Sequence, residues 1–241
     1  MMNIEQLHYI TQSNIPKYTL LELVEVVCKN GVKCVQYREK NKNYDEFLAE
    51  AIEVQEICKY YQVQFIVNDR IEIAKIIQAD GVHLGKKDFL LSDARDYIGK
   101  NTIIGATANE GNDIENALRC GADYVGLGPL HFTSTKEVLS PILGINGIQE
   151  LCAVYGDQIP IIAIGGIMPE DIPLLWQNKQ NNNNPSIEIV ANAKLTNPIE
   201  HQVINKPISK LHGVAVAGGI NNSPDPATSV KKYLAALAMT E

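Results

Sequence analysis

A chain of 241 residues, 45% hydrophobic and with a formal net charge of -7, can bury a full core as one α/β barrel or two small domains. The acidic balance, with no long basic stretch, argues against a nucleic-acid partner, and no uninterrupted apolar run is long enough to span a bilayer. The opening residues Met1-Met2-Asn3-Ile4-Glu5-Gln6 lack the basic and apolar regions of a signal peptide. The expectation is a soluble cytoplasmic protein whose scattered cysteines, Cys28, Cys34, Cys58, Cys120 and Cys152, stay reduced in or near the core.

In chain order, short β-type runs alternate with helical stretches. Residues 8–11 (HYIT) read as a strand and 20–28 as a helix that stops near Gly31. Residues 34–38 are a second strand, followed by a helix over 44–60 with apolar residues at Phe47, Ala51, Val54 and Cys58. A third strand at 65–68 (FIVN) leads to a short helix at 71–77. A fourth at 81–84 (GVHL) leads to a helix near 92–97, with Ser92 as its expected N-cap. Strand 102–106 precedes helix 113–120, and strand 124–127 precedes helix 146–155. Strand 161–164 (IIAI) is followed by helix 169–176, with Pro169 in its first turn. Strand 212–216 (HGVAV) and a helix over 229–238 close the chain.

Eight near-continuous apolar strands separated by helices predict a parallel sheet buried on both faces. Its simplest closure is a single (β/α)8 TIM barrel, in which the chemistry sits on the loops after the strands. An open doubly wound sheet is the alternative, but no Gly-x-Gly-x-x-Gly follows the first strand. Residues 177–211, with the run Asn181-Asn182-Asn183-Asn184-Pro185, break the rhythm. They fall between a helix and the following strand, so they are expected as an insertion on the face away from the site.

The strand ends hold the candidate chemistry. Alternation along 34–38 is expected to turn Gln36, Arg38 and Lys40 the same way, an amide and two cations whose natural partner is a polyanion such as a diphosphate. The third strand ends in Asn68-Asp69-Arg70, and the loop after the fourth contains Asp88. Mg2+ commonly takes one or two protein carboxylates and completes its octahedron with water and phosphate oxygens, which suits Asp69 and Asp88 on neighbouring loops. Thr107 ends the fifth strand, and Thr133, Ser134, Thr135 and Lys136 follow the sixth, a density of donors suited to an anion. Gly165-Gly166 and Ala217-Gly218-Gly219 end the last two strands, the habitual phosphate site of this fold. The pattern implies two phosphorylated small-molecule substrates, with diphosphate as a leaving group.

The set Gln36-Tyr37-Arg38-Glu39-Lys40, Asn68-Asp69-Arg70, Asp80 to Gly85 (DGVHLG), Gly126-Leu127-Gly128-Pro129, Thr133-x-Thr135-Lys136 and Ala163-Ile164-Gly165-Gly166-Ile167 closely resembles thiamine-phosphate synthase over nearly the whole chain except 177–211. The resemblance implies a transferase that joins 4-amino-2-methyl-5-pyrimidinylmethyl diphosphate to a thiazole phosphate through a pyrimidine-stabilised cation, giving thiamine phosphate and diphosphate. It also implies site roles. Gln36, Tyr37, Arg38, Glu39, Lys40, Asn68, Thr107 and Lys136 would contact the pyrimidine diphosphate, and Asp69 and Asp88 would bind Mg2+. Thr133, Ser134, Thr135, Gly166, Ala217 and Gly218 would hold the thiazole phosphate.

There are three departures from the family's usual pattern: Thr107 and Gly218 stand where Ser is usual, and His131-Phe132 replaces Phe-Pro. His83, inside an apolar strand, reads as a hydrogen-bonded core residue rather than an acid or base. Three rivals stay in view. The related thiazole tautomerase has a catalytic His where this chain has Pro129. A non-catalytic sensor of thiamine precursors or product would not need both aspartates and Lys136. Another phosphate-handling barrel enzyme, such as an isomerase, would leave the Gln36-Arg38-Lys40 cluster and the paired aspartates unexplained.

Overall fold

A computed structural model describes residues 2–12, 15, 17–132, 140–177 and 210–240. Eight parallel strands close into a barrel in sequence order, each pairing with the next and the eighth with the first. They are β1 (Leu7–Ile10), β2 (Cys34–Tyr37), β3 (Gln64–Asn68), β4 (Gly81–Leu84), β5 (Ile103–Ala108), β6 (Tyr124–Leu127), β7 (Ile161–Ile164) and β8 (Gly213–Val216). The helices are α1 (Leu20–Lys29), α2 (Tyr44–Tyr61), α3 (Ile71–Ile76), α4 (Leu91–Ile98), α5 (Gly111–Arg119), α6 (Gly144–Tyr155), α7 (Asp171–Trp176), α8 (Gly218–Asn221) and α9 (Pro226–Ala238). The expected TIM barrel is the observed architecture. Among the described residues no helix is long and apolar enough to cross a membrane.

Strand alternation splits the buried residues into two cores. One face of each strand packs under the helices, where Tyr9, Val35, Phe65, Val67, Ile104, Val125 and Val214 meet Leu23, Val27, Phe47 and Val54. The other face fills the barrel, with Ile10, Cys34, Ile66, Ile103, Tyr124, Ile162 and Ala215. Helix starts are locally encoded. Thr19 and Asn43 form capping boxes with Glu22 and Glu46 at the heads of α1 and α2, and Asp225 accepts from the Thr228 amide at the head of α9.

Four expectations need correcting. Ser92 does not cap α4: Leu90 holds that position without a side-chain bond, and the Ser92 hydroxyl donates to the Asp93 carboxylate at 2.8 Å. Pro169 lies ahead of α7, because a turn with Asp171 N to Met168 O at 3.0 Å intervenes. β5 runs two residues past 106, since Thr107 and Ala108 continue the ladder opposite Gly126 and Leu127. β2 stops at Tyr37, so Arg38 and Lys40 lie beyond the strand and its alternation. The sequence reading also had no counterpart for α8. Residues 178–209, nearly all of the expected insertion, lie outside the described residues.

Candidate active site

The C-terminal rim of the barrel gathers the charged residues. On β2, Gln36 turns into the barrel while Tyr37 turns out, its ring 4.5 Å from that of Phe47 and its hydroxyl donating to Glu50 at 2.7 Å. Tyr37 therefore anchors the strand to α2 and presents its backbone, not its ring, to the rim. Just past the strand, the Thr11 hydroxyl accepts from the Arg38 amide at 2.8 Å and donates to the Arg38 carbonyl at 3.1 Å. That clamp extends the β1–β2 pairing by one side chain and fixes where the cationic segment leaves the barrel. Glu39 is buried, and its carboxylate accepts from the Asn41 amide at 3.0 Å.

Lys40 reaches across to β3 and pairs with the Asp69 carboxylate. Asp69 occupies the left-handed region, with φ of 65°, a conformation a non-glycine residue holds only when its surroundings insist. Here they do: its amide donates to the His83 carbonyl at 2.8 Å and its Oδ1 accepts from the Asn68 amide group at 2.7 Å. Asp88, on the loop after β4, turns back to accept from the Gly85 amide at 2.7 Å. Desolvation at the rim, and then the adjoining Asp69 carboxylate, push the Asp88 carboxyl above the usual carboxylate range. Lys40 offsets part of the repulsion between these two carboxylates, and a pair of carboxylates facing one cationic position is a donor set that fits a divalent ion. Among the described residues no group of three or more His, Cys, Asp or Glu could form a cage, which leaves room for ligands from water or a substrate.

Below this rim the barrel is polar. The Tyr124 phenol lies 3.0 Å from His83 Nδ1, and His83 Nε2 lies 3.1 Å from the Thr107 hydroxyl. Thr107 is half-buried and opens toward the rim, whereas Gln36, Asn68, His83 and Tyr124 are all buried. His83 is thus a hydrogen-bonded core residue, as its apolar context predicts. Tyr124 was missed by sequence reasoning, although a Tyr facing Gly105 in the ladder is a usable signal, because a side chain at that glycine would overlap the ring.

On the far side of the mouth, the chain after β6 continues alongside β7, with Leu130 N to Ile164 O and His131 N to Gly165 O both at 2.9 Å. His131 Nε2 sits 3.0 Å from Asp171, whose other oxygen accepts from the Met168 amide. Gly165 and Gly166 have φ of 99° and 70°, and a Cβ at Gly166 would press on His131 at 2.9 Å. Ala217 and Gly218 follow β8 and begin α8. Among the described residues, no carbonyl or side chain accepts from the amides of Gly166, Gly218 or Gly219. Thr133, Ser134, Thr135 and Lys136 lie outside the described residues.

Comparison with known proteins bears on this geometry. The family model described as thiamine monophosphate synthase matches residues 7–182. The chain belongs to the thiamine monophosphate synthase family. Within that family match fall β1 through α7 and with them the Gln36 to Lys40 segment, Asp69, Asp88, Thr107 and Gly166; Ala217 and Gly218 lie beyond it. A relative from Bacteroides fragilis named thiamine-phosphate synthase is 35% identical over 231 residues, covering 95% of this chain and 98% of its own. Another of that name, from Phocaeicola vulgatus, is 41% identical over 175 residues, covering 71% of this chain and 84% of its own. The solved thiamine phosphate pyrophosphorylase from Pyrococcus furiosus superposes with a TM-score of 0.75 over 98% of this chain and 96% of its own, at 22% identity. At that identity the likeness speaks to the barrel alone.

Proposed function

We propose that this chain is a thiamine-phosphate synthase. It transfers the 4-amino-2-methyl-5-pyrimidinylmethyl group from its diphosphate to the ring nitrogen of a thiazole phosphate, releasing diphosphate and leaving thiamine phosphate. The bond from the methylene carbon to the diphosphate oxygen breaks first, with its electron pair going to the diphosphate. The pyrimidine ring stabilises the resulting cation until the thiazole nitrogen donates its pair to the same carbon.

The observation that carries this reading is the meeting of Lys40 from the end of β2, Asp69 from β3 and Asp88 from the β4 loop at one edge of the barrel mouth. Asp69 and Asp88 are the residues that would hold Mg2+, which when bound supplies positive charge to the diphosphate oxygens as they become a leaving group. Lys40 adds a cation at the same edge, and Arg38 two residues before it would add a second, where stabilisation of developing charge is the largest contribution such a site can make. Asn68 holds Asp69 in place, and Gln36, Thr107 and, outside the described residues, Lys136 complete the contacts to the pyrimidine diphosphate. Tyr37 and Glu39 take part by fixing the backbone of the cationic segment, because their side chains are buried. The open amides of Gly166 and Gly218 with Ala217, together with Thr133, Ser134 and Thr135, would take the thiazole phosphate.

The test is direct. Purified protein, both phosphorylated precursors and Mg2+ are mixed, and thiamine phosphate is measured by fluorescence after oxidation to its thiochrome. Product that depends on both precursors is expected, and tight binding of a precursor without product would overturn the synthase reading in favour of a binding protein.

A further inference from the structure

The interior of an (β/α)8 barrel is usually packed with branched apolar side chains. In this chain a connected polar run enters it instead, from β6 through β4 to β5. The Tyr124 phenol is 3.0 Å from His83 Nδ1, and the His83 Nε2 is 3.1 Å from Thr107 Oγ1. Space for the run is built into the backbone. Gly105, opposite Tyr124 in the ladder, leaves the volume the phenol ring occupies, and a Cβ at Gly126 would come within 3.1 Å of the His83 ring. Glycine weakens a strand, so two such positions beside two mutually tilted rings 5.5 Å apart mark the arrangement as specified by the sequence.

A buried run of this kind has a direction, because each buried donor needs an acceptor. Tyr124 is fully buried, which pushes its phenol far above ordinary values and keeps its proton in place. Among the described residues His83 Nδ1 is the hydrogen-bond partner of the buried phenol, and a buried O–H without an acceptor is costly, so the phenol proton is directed to His83 Nδ1. A ring that accepts at Nδ1 holds its own proton at Nε2 and donates it to Thr107 Oγ1. The Thr107 proton is then the one member left over, and Thr107 is the one member of the run that opens toward the rim.

We infer that Tyr124 and His83 are positioning residues that fix the polarity of the barrel floor, holding the Thr107 hydroxyl as a hydrogen-bond donor toward the pyrimidine diphosphate. The naming of that ligand rests on the proposed function, whereas the polarity rests on the run itself. A donor at Thr107 recognises a lone pair, on a ring nitrogen or a phosphate oxygen, and turns away a ligand group that presents N–H there.

The experiment uses the full chain. Ring nitrogen NMR of histidine in the substrate-free protein reads the His83 tautomer: protonated Nε2 with an accepting Nδ1 is expected, and protonated Nδ1 overturns the inference. Tyr124→Phe keeps the ring under Gly105 and removes only the hydroxyl. It is expected to lower kcat about tenfold, to leave the KM for thiazole phosphate unchanged, and to shift the His83 signals toward a tautomer mixture. Thr107→Val should cost a similar factor, and the double variant no more than the larger single loss, because both break one run. Additive losses, or a KM change confined to thiazole phosphate, would overturn it. If the wild-type protein forms no thiamine phosphate, the functional reading fails by itself, while the ring signals still decide the polarity.

Discussion

Lys40 and Asp69 stand at the ends of adjacent strands and form an ion pair along one edge of the barrel mouth, with Asn68 holding the second carboxylate oxygen of Asp69 at 2.7 Å. The Lys40 ammonium is about half exposed, so as a stability element the pair is worth little. Its importance is in what it places: a cation and a metal-competent carboxylate meeting the same ligand.

The first prediction follows from that pairing. Asp69→Asn keeps the side-chain shape but removes the charge, and should lower turnover roughly a hundredfold while leaving the thermal midpoint nearly unchanged. Lys40→Ala should act in the same direction. Steady-state kinetics beside a melting curve check both, and wild-type turnover in Asp69→Asn would sink the metal assignment.

The second concerns Gly166. Its φ of 70° and the approach of His131 and Phe132 leave no room for a methyl group, so Gly166→Ala should destabilise the protein by about 1–3 kcal/mol. If its amide meets the thiazole phosphate, the KM for that substrate rises while the KM for the pyrimidine diphosphate holds. A rise confined to the pyrimidine diphosphate would place the two anion sites the other way round.

The third concerns acid sensitivity. His8 is buried beside Tyr124, and neither ring nitrogen has a hydrogen-bond partner among the described residues. Burial, and then the neighbouring His83, lower its pKa from 6.5 to about 3, while the Glu5 backbone pulls the other way from outside hydrogen-bond geometry. The folded value lies below the unfolded one, so the unfolded chain binds the proton more readily. Stability is therefore full above about pH 6.5 and is lost as pH falls toward 3, at up to about 1.4 kcal/mol per pH unit from this residue. Urea unfolding of the wild type and of His8→Leu at pH 6.5 and pH 5 should show the wild type losing about 2 kcal/mol more. Equal losses would show that His8 is not held neutral.

Much of this architecture was legible from the chain. Strands such as Gly81–Leu84, Tyr124–Leu127 and Ile161–Ile164 are short apolar runs bounded by turn residues, and a strand buried on both faces has to look like that. Their order placed Asp69, Asp88, Thr107 and Gly166 at one end of the barrel. Less visible were features fixed by distant partners. Arg38 reads as a strand residue, yet its backbone is held by the Thr11 side chain, which no local pattern announces. Tyr37 sits inside the cationic motif, but Glu50 and Phe47 draw its side chain into the helix layer. The run from Tyr124 through His83 to Thr107 joins three strands, so its members look like isolated polar residues until the barrel closes. α8 begins at two glycines, which argue locally against a helix, and it packs against α9.

The measurement that reaches the central claim most directly is phosphorus NMR of the complete reaction, with and without Mg2+, following both phosphorylated precursors together. The account predicts one diphosphate released for each thiamine phosphate formed, with both signals absent when the metal is removed and largely absent in Asp69→Asn. Diphosphate released without thiamine phosphate, or product formed equally well after metal removal, would contradict it.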